Sequence, residues 1–141
     1  KPCPGAKVVL ADVSADACAV VDKNRRRLGV EAEIVEGDLF APVQGRIFDL
    51  IACNPPYIRT GELAALQAEV QKEPRLALDG GADGLCFYRR IAAEYQKHLA
   101  PGGALLLEIG WDEAEDVRAL FGGGRVLRDL NGRDRVIEIR E

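Results

Sequence analysis

Short apolar runs alternate with helical patterns along this chain of 141 residues. Residues 7–11, 48–53 and 104–109 form three such runs, and the last is apolar except at Glu108, which is the character of a strand buried on both faces. Strands that alternate with helices usually form a parallel sheet that helices cover on both sides. The order therefore predicts an α/β fold with a doubly wound, mostly parallel sheet.

The first half of the chain carries clear end signals for one helix. Ser14 is a favourable N-cap, and Gly29 is suited to close the helix that follows it. Residues 31–35 alternate between polar and apolar side chains, which is typical of an outer strand. We also expect residues 62–70 to be helical.

The strongest helical pattern follows Asp83, which we expect to cap the helix, and a Pro-Gly-Gly sequence at residues 101–103 is expected to stop it. Its apolar stripe consists of Leu85, Tyr88, Ile91, Ala92, Tyr95 and Leu99. A short helix is predicted at residues 112–121. Two last strands, at 125–129 and 135–140, flank an Asn-Gly pair, the strongest short hairpin signal. This C-terminal hairpin adds an antiparallel strand, and we interpret residues 1–141 as a single, partial domain.

Composition narrows the classes of function. The net charge is −4 and the sequence pI is about 5.1, whereas a nucleic-acid-binding surface is usually basic, so we expect no direct contact with nucleic acid. The four cysteines form no Cys-x-x-Cys pair and there is one histidine, so no metal site is expected. Scattered thiols are typical of a reduced, cytoplasmic protein. No apolar run approaches the roughly 20 residues of a membrane span.

Polar residues follow three of the predicted strands. Asp12 follows the first strand, Asp38 the second and Asn54 the third. In open parallel sheets, ligands bind beyond the carboxyl ends of the strands. A carboxylate is a pure acceptor, so Asp12 is suited to bind both hydroxyls of a ribose, and Asp38 an adenine amino group. The residues that follow these acids, Val13 and Leu39, are included in the predicted cofactor site.

The most specific motif is Asn54-Pro55-Pro56-Tyr57. An amide nitrogen is a poor nucleophile because its lone pair is delocalised into the carbonyl group. Two acceptors, the side-chain oxygen of Asn54 and the backbone carbonyl of Pro55, can hold its two N–H groups. The prolines fix the direction of those carbonyls, and Tyr57 offers a flat face for a planar amide or base. The motif therefore predicts methylation of such a nitrogen, with the proton leaving to water.

The motif resembles the signature of class I methyltransferases that act on exocyclic amino or amide nitrogens. Five further stretches resemble the HemK/PrmC family, the peptide chain release factor glutamine methyltransferases: residues 73–78 (EPRLAL), 80–85 (GGADGL), 88–91 (YRRI), 108–110 (EIG) and 129–135 (DLNGRDR). Together with the motif, these stretches extend from residue 54 to residue 135.

The resemblance implies a cofactor, a substrate and a role for each site residue. S-adenosylmethionine (SAM) would be bound through Asp12 at the ribose and Asp38 at the adenine, with Asn54 also near it. Asn54 and Pro55 would hold the substrate amide, and Pro56 and Tyr57 would pack beside it. The implied substrate is the glutamine of the Gly-Gly-Gln tip of a peptide chain release factor, methylated on its side-chain amide.

The position of Asp12 departs from the family pattern. Dinucleotide-type folds place a glycine-rich loop about 20 residues before the ribose acid, which here falls before residue 1. We therefore expect the chain to be a fragment without the first strand, the glycine-rich loop and the family's helical N-terminal domain. The strands at residues 7–11 and 48–53 would then lack a common neighbour. We expect the isolated chain to bind SAM poorly and to self-associate.

Two alternatives stay open at this point. One is a methyltransferase that acts on an exocyclic amine of RNA or DNA, which a basic surface with stacking aromatics would favour. The other is a non-catalytic binding or scaffold domain derived from such an enzyme, which the missing glycine-rich loop supports.

Overall fold

The computed structural model describes residues 5–140. Cys3 therefore lies outside the described residues. The chain divides into two compact units, residues 1–46 and 47–141. Between residues 5 and 140, no helix combines the length and the apolar character that a membrane span requires.

The first unit contains a parallel strand pair and one helix. Strand β1 is Val9–Asp12, helix α1 is Ala15–Leu28 and strand β2 is Glu33–Glu36. The two strands pair in parallel with Val9 opposite Glu33. As predicted, the Ser14 hydroxyl accepts a hydrogen bond from the backbone N–H of the third residue after it, at 3.2 Å. Gly29 ends the helix in the left-handed conformation, with φ of 62°.

The second unit is built on a four-stranded sheet in the order β3-β4-β6-β5. Its strands are β3 (Phe48–Cys53), β4 (Leu99–Glu108), β5 (Arg125–Arg128) and β6 (Asp134–Arg140), and its helices are α2 (Cys86–Glu94) and α3 (Ala114–Phe121). Strands β3 and β4 are parallel, whereas β4–β6 and β5–β6 are antiparallel. The fully buried side chains of the two helices and the central strands form the core: Tyr88, Ile91, Leu105, Leu107, Val117 and Ile137. The α/β class and the terminal hairpin are confirmed.

The helix predicted at residues 62–70 is wrong. This part of the chain forms short 3₁₀ turns, at Thr60–Ala65 and Val70–Lys72, with extended backbone at Leu66 between them. The side-chain amide of Gln71 donates to the carbonyl oxygens of Ala64 and Leu66, at 3.2 and 2.6 Å. These carbonyls are satisfied by a side chain, so a continuous helix is not needed to pair them.

Both ends of the helix predicted after Asp83 also differ from the prediction. Leu85, and not Asp83, is the N-cap of α2, and its side chain makes no capping hydrogen bond. Asp83 accepts from the Leu85 N–H at 3.1 Å and pairs with Arg89. At the other end, Leu99 begins β4 rather than ending the helical stripe. The Pro-Gly-Gly sequence lies within that strand, where the pairing with β3 is irregular. Gly102, with φ of 77°, lets the strand continue through this irregularity.

Strand β1 is an edge strand of the two-stranded sheet, and β3 is an edge strand of the four-stranded sheet. Among residues 5–140, β1 pairs with β2 alone and β3 pairs with β4 alone. Apolar side chains on these strands are exposed, with Leu10 at 39% and Leu50 at 58%. Unpaired backbone groups beside exposed apolar side chains favour association with a further strand.

Candidate functional site

The predicted cofactor acids lie at one end of the β1–β2 pair. Asp12 is the last residue of β1 and stands opposite Glu36, and its carbonyl accepts from the Gly37 N–H at 2.9 Å. Asp38 follows Gly37, so the two acids lie at the carboxyl ends of the two parallel strands. Asp12 Oδ1 accepts from the Ser14 N–H at 2.8 Å, which fixes the carboxylate at the start of α1.

The turn after β2 is conformationally constrained. Leu39 has φ of 48°, the one positive value of a non-glycine residue between residues 5 and 140. A branched side chain in this region is strained, and such strain often accompanies a binding site. The turn is closed by a hydrogen bond from the Ala41 N–H to the Asp38 carbonyl at 3.0 Å. Val13, after the other acid, is 47% exposed and so is available to a ligand.

The Asn-Pro-Pro-Tyr segment lines a pocket of about 230 Å³ on the second unit. Asn54 follows β3 directly and is exposed, whereas Pro55 is buried. The pocket wall continues with Tyr57 and with residues from the 3₁₀ region that follows, among them Val70, Glu73 and Leu78. A pocket of this size, with an amide oxygen and an aromatic ring, suits one small planar polar group.

Tyr57 is anchored at its hydroxyl. The hydroxyl donates to Glu108 Oε1 at 3.2 Å, and Glu108 is the last residue of β4. Burial of the ring raises the pKa of Tyr57, and the nearby negative charge of Glu108 raises it further. The hydroxyl is therefore a donor across the neutral range of pH.

The backbone around Tyr57 is held by the segment that contains Gly80 and Gly84. The Ile58 N–H donates to the Leu78 carbonyl at 3.0 Å, and the Gly80 N–H donates to the Ile58 carbonyl at 2.8 Å. A Cβ at Gly80 would lie 2.7 Å from the Tyr57 Cα, and one at Gly84 would lie 2.6 Å from the Tyr57 carbonyl oxygen. The close approach of the two segments therefore requires glycine at both positions.

A buried carboxylate lies behind this contact. Glu113 is 2% exposed and accepts from the Gly110 N–H at 3.0 Å. Burial raises the pKa of Glu113, and the Gly110 hydrogen bond opposes that shift. A Cβ at Gly84 would meet Glu113 Oε1 in closer than van der Waals contact, so Glu113 forms part of the packing that fixes Gly84.

The structure therefore distributes the predicted site residues over two groups. Asp12, Val13, Asp38 and Leu39 lie together on the first unit, and residues 54–57 line the pocket of the second. Glu73 and Glu108 belong to stretches quoted above for the resemblance, but the sequence assigned neither of them a place at the site. Within residues 5–140 there is no group of three or more His, Cys, Asp or Glu side chains that could hold a metal ion.

The chain belongs to the methyltransferase small domain family, whose model matches residues 1–83. It is similar to a release factor glutamine methyltransferase of Geobacter sulfurreducens, with 45% identity over 97% of this chain and 50% of that protein. The resemblance inferred from the motifs is thereby confirmed. The chain spans about half the length of the curated relatives it matches.

Solved structures agree with this assignment. A protein-(glutamine-N5) methyltransferase (release factor-specific) from Alicyclobacillus acidocaldarius matches with a TM-score of 0.55 and 27% identity, over 97% of this chain and 80% of that one. A T. thermophilus 16S rRNA methyltransferase, in complex with AdoMet and guanosine, matches with a TM-score of 0.64 and 21% identity, over 97% of this chain and 32% of that one. The second likeness shows the fold alone.

Proposed function

We propose that the protein transfers a methyl group from SAM to the side-chain amide nitrogen of the glutamine in the Gly-Gly-Gln tip of a peptide chain release factor. The observation that carries the proposal is the pocket of about 230 Å³ that Asn54, Pro55 and Tyr57 line. The relatives named release factor glutamine methyltransferase support the choice of substrate. The same proposal places the protein in the cytoplasm, where release factors act.

The chemistry follows from the groups in the pocket. The glutamine amide donates one N–H to the Asn54 side-chain oxygen and the other to the Pro55 carbonyl, which holds the nitrogen in place. Both acceptors favour positive charge on that nitrogen as its new bond to carbon forms. The Tyr57 ring packs against the planar amide. After alkylation the nitrogen is strongly acidic, so it loses its proton to water.

The residues at the ends of β1 and β2 are suited to hold SAM, which supplies the methyl group as an electrophile. Asp12 is exposed, and of its two carboxylate oxygens Oδ1 accepts a hydrogen bond from the described residues. Its second oxygen can accept from a ribose hydroxyl. Asp38 would receive the adenine amino group, and Val13 and Leu39 offer apolar surface on either side. The methyltransferase family model that matches residues 1–83 supports the choice of cofactor.

The test compares Asn54→Ala with the wild type in the full-length natural protein. Loss of an acceptor used in the transition state lowers turnover by about ten- to a thousandfold. SAM affinity, measured by calorimetry, should change much less. Asn131→Ala is the matched control, because Asn131 lies in the β5–β6 hairpin turn and plays no part in the proposal. Near-normal methylation by Asn54→Ala would refute the proposed role of Asn54.

A further inference from the structure

Tyr57 is attached to the protein at two independent places. Its backbone is fixed by the hydrogen bonds of Ile58 with residues 78 and 80 and by the close contact with Gly80. Its hydroxyl, at the far end of the ring, is fixed by Glu108. With the backbone held, the orientation of the ring depends on two side-chain torsions, and a bond at the hydroxyl restricts both.

Glu108 is a rigid anchor for that bond. It stands opposite Val136 in the β4–β6 pairing, and its carbonyl accepts from the Tyr88 hydroxyl at 2.8 Å. Tyr88 is fully buried, so its hydroxyl would lose a needed partner if the end of β4 moved. The position of the Glu108 backbone, from which the carboxylate reaches Tyr57, is therefore set by the core.

The bond has the chemistry of a positioning contact. The acceptor is a carboxylate and the donor is a partly buried phenol, and at 3.2 Å the bond is longer than a typical O–H···O hydrogen bond, so we expect from it the effect of one ordinary hydrogen bond. Because the chain separation is 51 residues, the contact joins the pocket segment after β3 to the end of the neighbouring parallel strand β4. It fixes the ring at the strand ends, where the pocket lies.

We propose that Glu108 is a positioning residue of the amide pocket: its carboxylate holds the Tyr57 ring, through the hydroxyl, in the orientation that packs against the substrate amide. This inference rests on the proposed function and adds to it a residue that does not itself line the pocket. Glu108, the first residue of the Glu-Ile-Gly stretch, thereby has a defined role.

A double-mutant cycle in the full-length protein tests the proposal. Tyr57→Phe and Glu108→Ala should each lower kcat/KM for the release factor by about three- to tenfold, the effect of one lost hydrogen bond. The double variant should be no worse than either single one, because both remove the same bond. Glu108→Gln keeps an acceptor and should retain most activity, and SAM affinity should be unchanged in all four. Glu115→Ala, on exposed α3 surface, is the control for loss of a carboxylate.

Effects that multiply in the double variant would show that Glu108 acts independently of Tyr57 and would overturn the proposal. Unchanged activity of Glu108→Ala would also overturn it. If Glu108→Ala does not fold, the Glu108→Gln variant decides through a different readout. The Tyr57 pKa, followed by NMR of ring-labelled tyrosine and assigned with Tyr57→Phe, should fall in Glu108→Gln because a neighbouring negative charge is removed.

This titration also separates the two proposals. If the wild-type protein does not methylate release factors, the proposed function fails, yet the titration still reports whether the carboxylate and the hydroxyl are in contact. An unchanged Tyr57 pKa in Glu108→Gln would refute the contact, whatever the activity. A lowered pKa together with a non-additive cycle establishes Glu108 as the positioning residue.

Discussion

The packing of the glycine segment against Tyr57 predicts a graded series of alanine variants. Gly84 has a φ of 81°, and a Cβ there would collide with the Tyr57 carbonyl oxygen. A left-handed φ costs a side chain about 1–2 kcal/mol, and overpacking costs about 1–3 kcal/mol. Gly84→Ala should therefore lower the free energy of unfolding by about 2–5 kcal/mol, the sum of these two effects.

Three other glycines separate the two causes of lost stability, the left-handed φ and the overpacking. Gly80 does not have a positive φ, but a Cβ there would lie 2.7 Å from the Tyr57 Cα, so Gly80→Ala should cost about 1–3 kcal/mol from overpacking alone. Gly132 has φ of 77° and open space around it, so Gly132→Ala should cost about 1–2 kcal/mol. Gly61 has neither feature, and Gly61→Ala should stay within about 0.5 kcal/mol.

The assay is urea unfolding of the full-length natural protein, with methylation of a release factor measured beside it. Gly80→Ala and Gly84→Ala should also impair methylation at temperatures where they remain folded, because the new Cβ displaces the Tyr57 backbone. Gly132→Ala should lose stability without that loss of activity. If Gly80→Ala proved as stable as Gly61→Ala, the close contact between this segment and Tyr57 would be refuted.

Three further predictions address other parts of the chain. Asp12→Ala should weaken SAM binding by about 1–3 kcal/mol, since a ribose hydroxyl loses its acceptor; an unchanged dissociation constant in calorimetry would leave Asp12 as a structural residue only. Burial raises the pKa of the Cys53 thiol to about 11, so almost none of this thiol is thiolate at pH 8. Iodoacetamide should therefore label the exposed Cys86 well before Cys53, as followed by mass spectrometry. Equal labelling rates would contradict the burial of Cys53. The open sides of β1 and β3 predict that the 141-residue chain alone self-associates; a monomer in size-exclusion chromatography would contradict this.

Local signals in the sequence were sufficient for most elements of the fold. Ser14 and Gly29 delimit α1 because capping depends on residues within one turn of the helix end. The Asn-Gly turn likewise specified the β5–β6 hairpin. Leu99 was misplaced because its apolar side chain suits the helical stripe and the strand equally well, and the pairing with Phe48 that decides the matter is distant in sequence.

The site shows the same division between local and long-range information. Residues 54–57 form a recognisable motif, and the structure places them in one pocket. Glu108 could not be assigned from sequence, since its role depends on a contact with a residue 51 positions away. The need for glycine at position 80 is equally hidden, because it arises from the backbone of Tyr57 and not from the residues beside it.

The central claim concerns the atom that receives the methyl group. The direct measurement incubates the full-length natural protein with SAM labelled in its methyl group and a release factor, and locates the label by mass spectrometry. We expect one label on the side-chain amide of the Gly-Gly-Gln glutamine, and almost none with Asn54→Ala. Bound SAM with no label on that glutamine, or label on an RNA or DNA amine supplied in the same reaction, would contradict the proposed function.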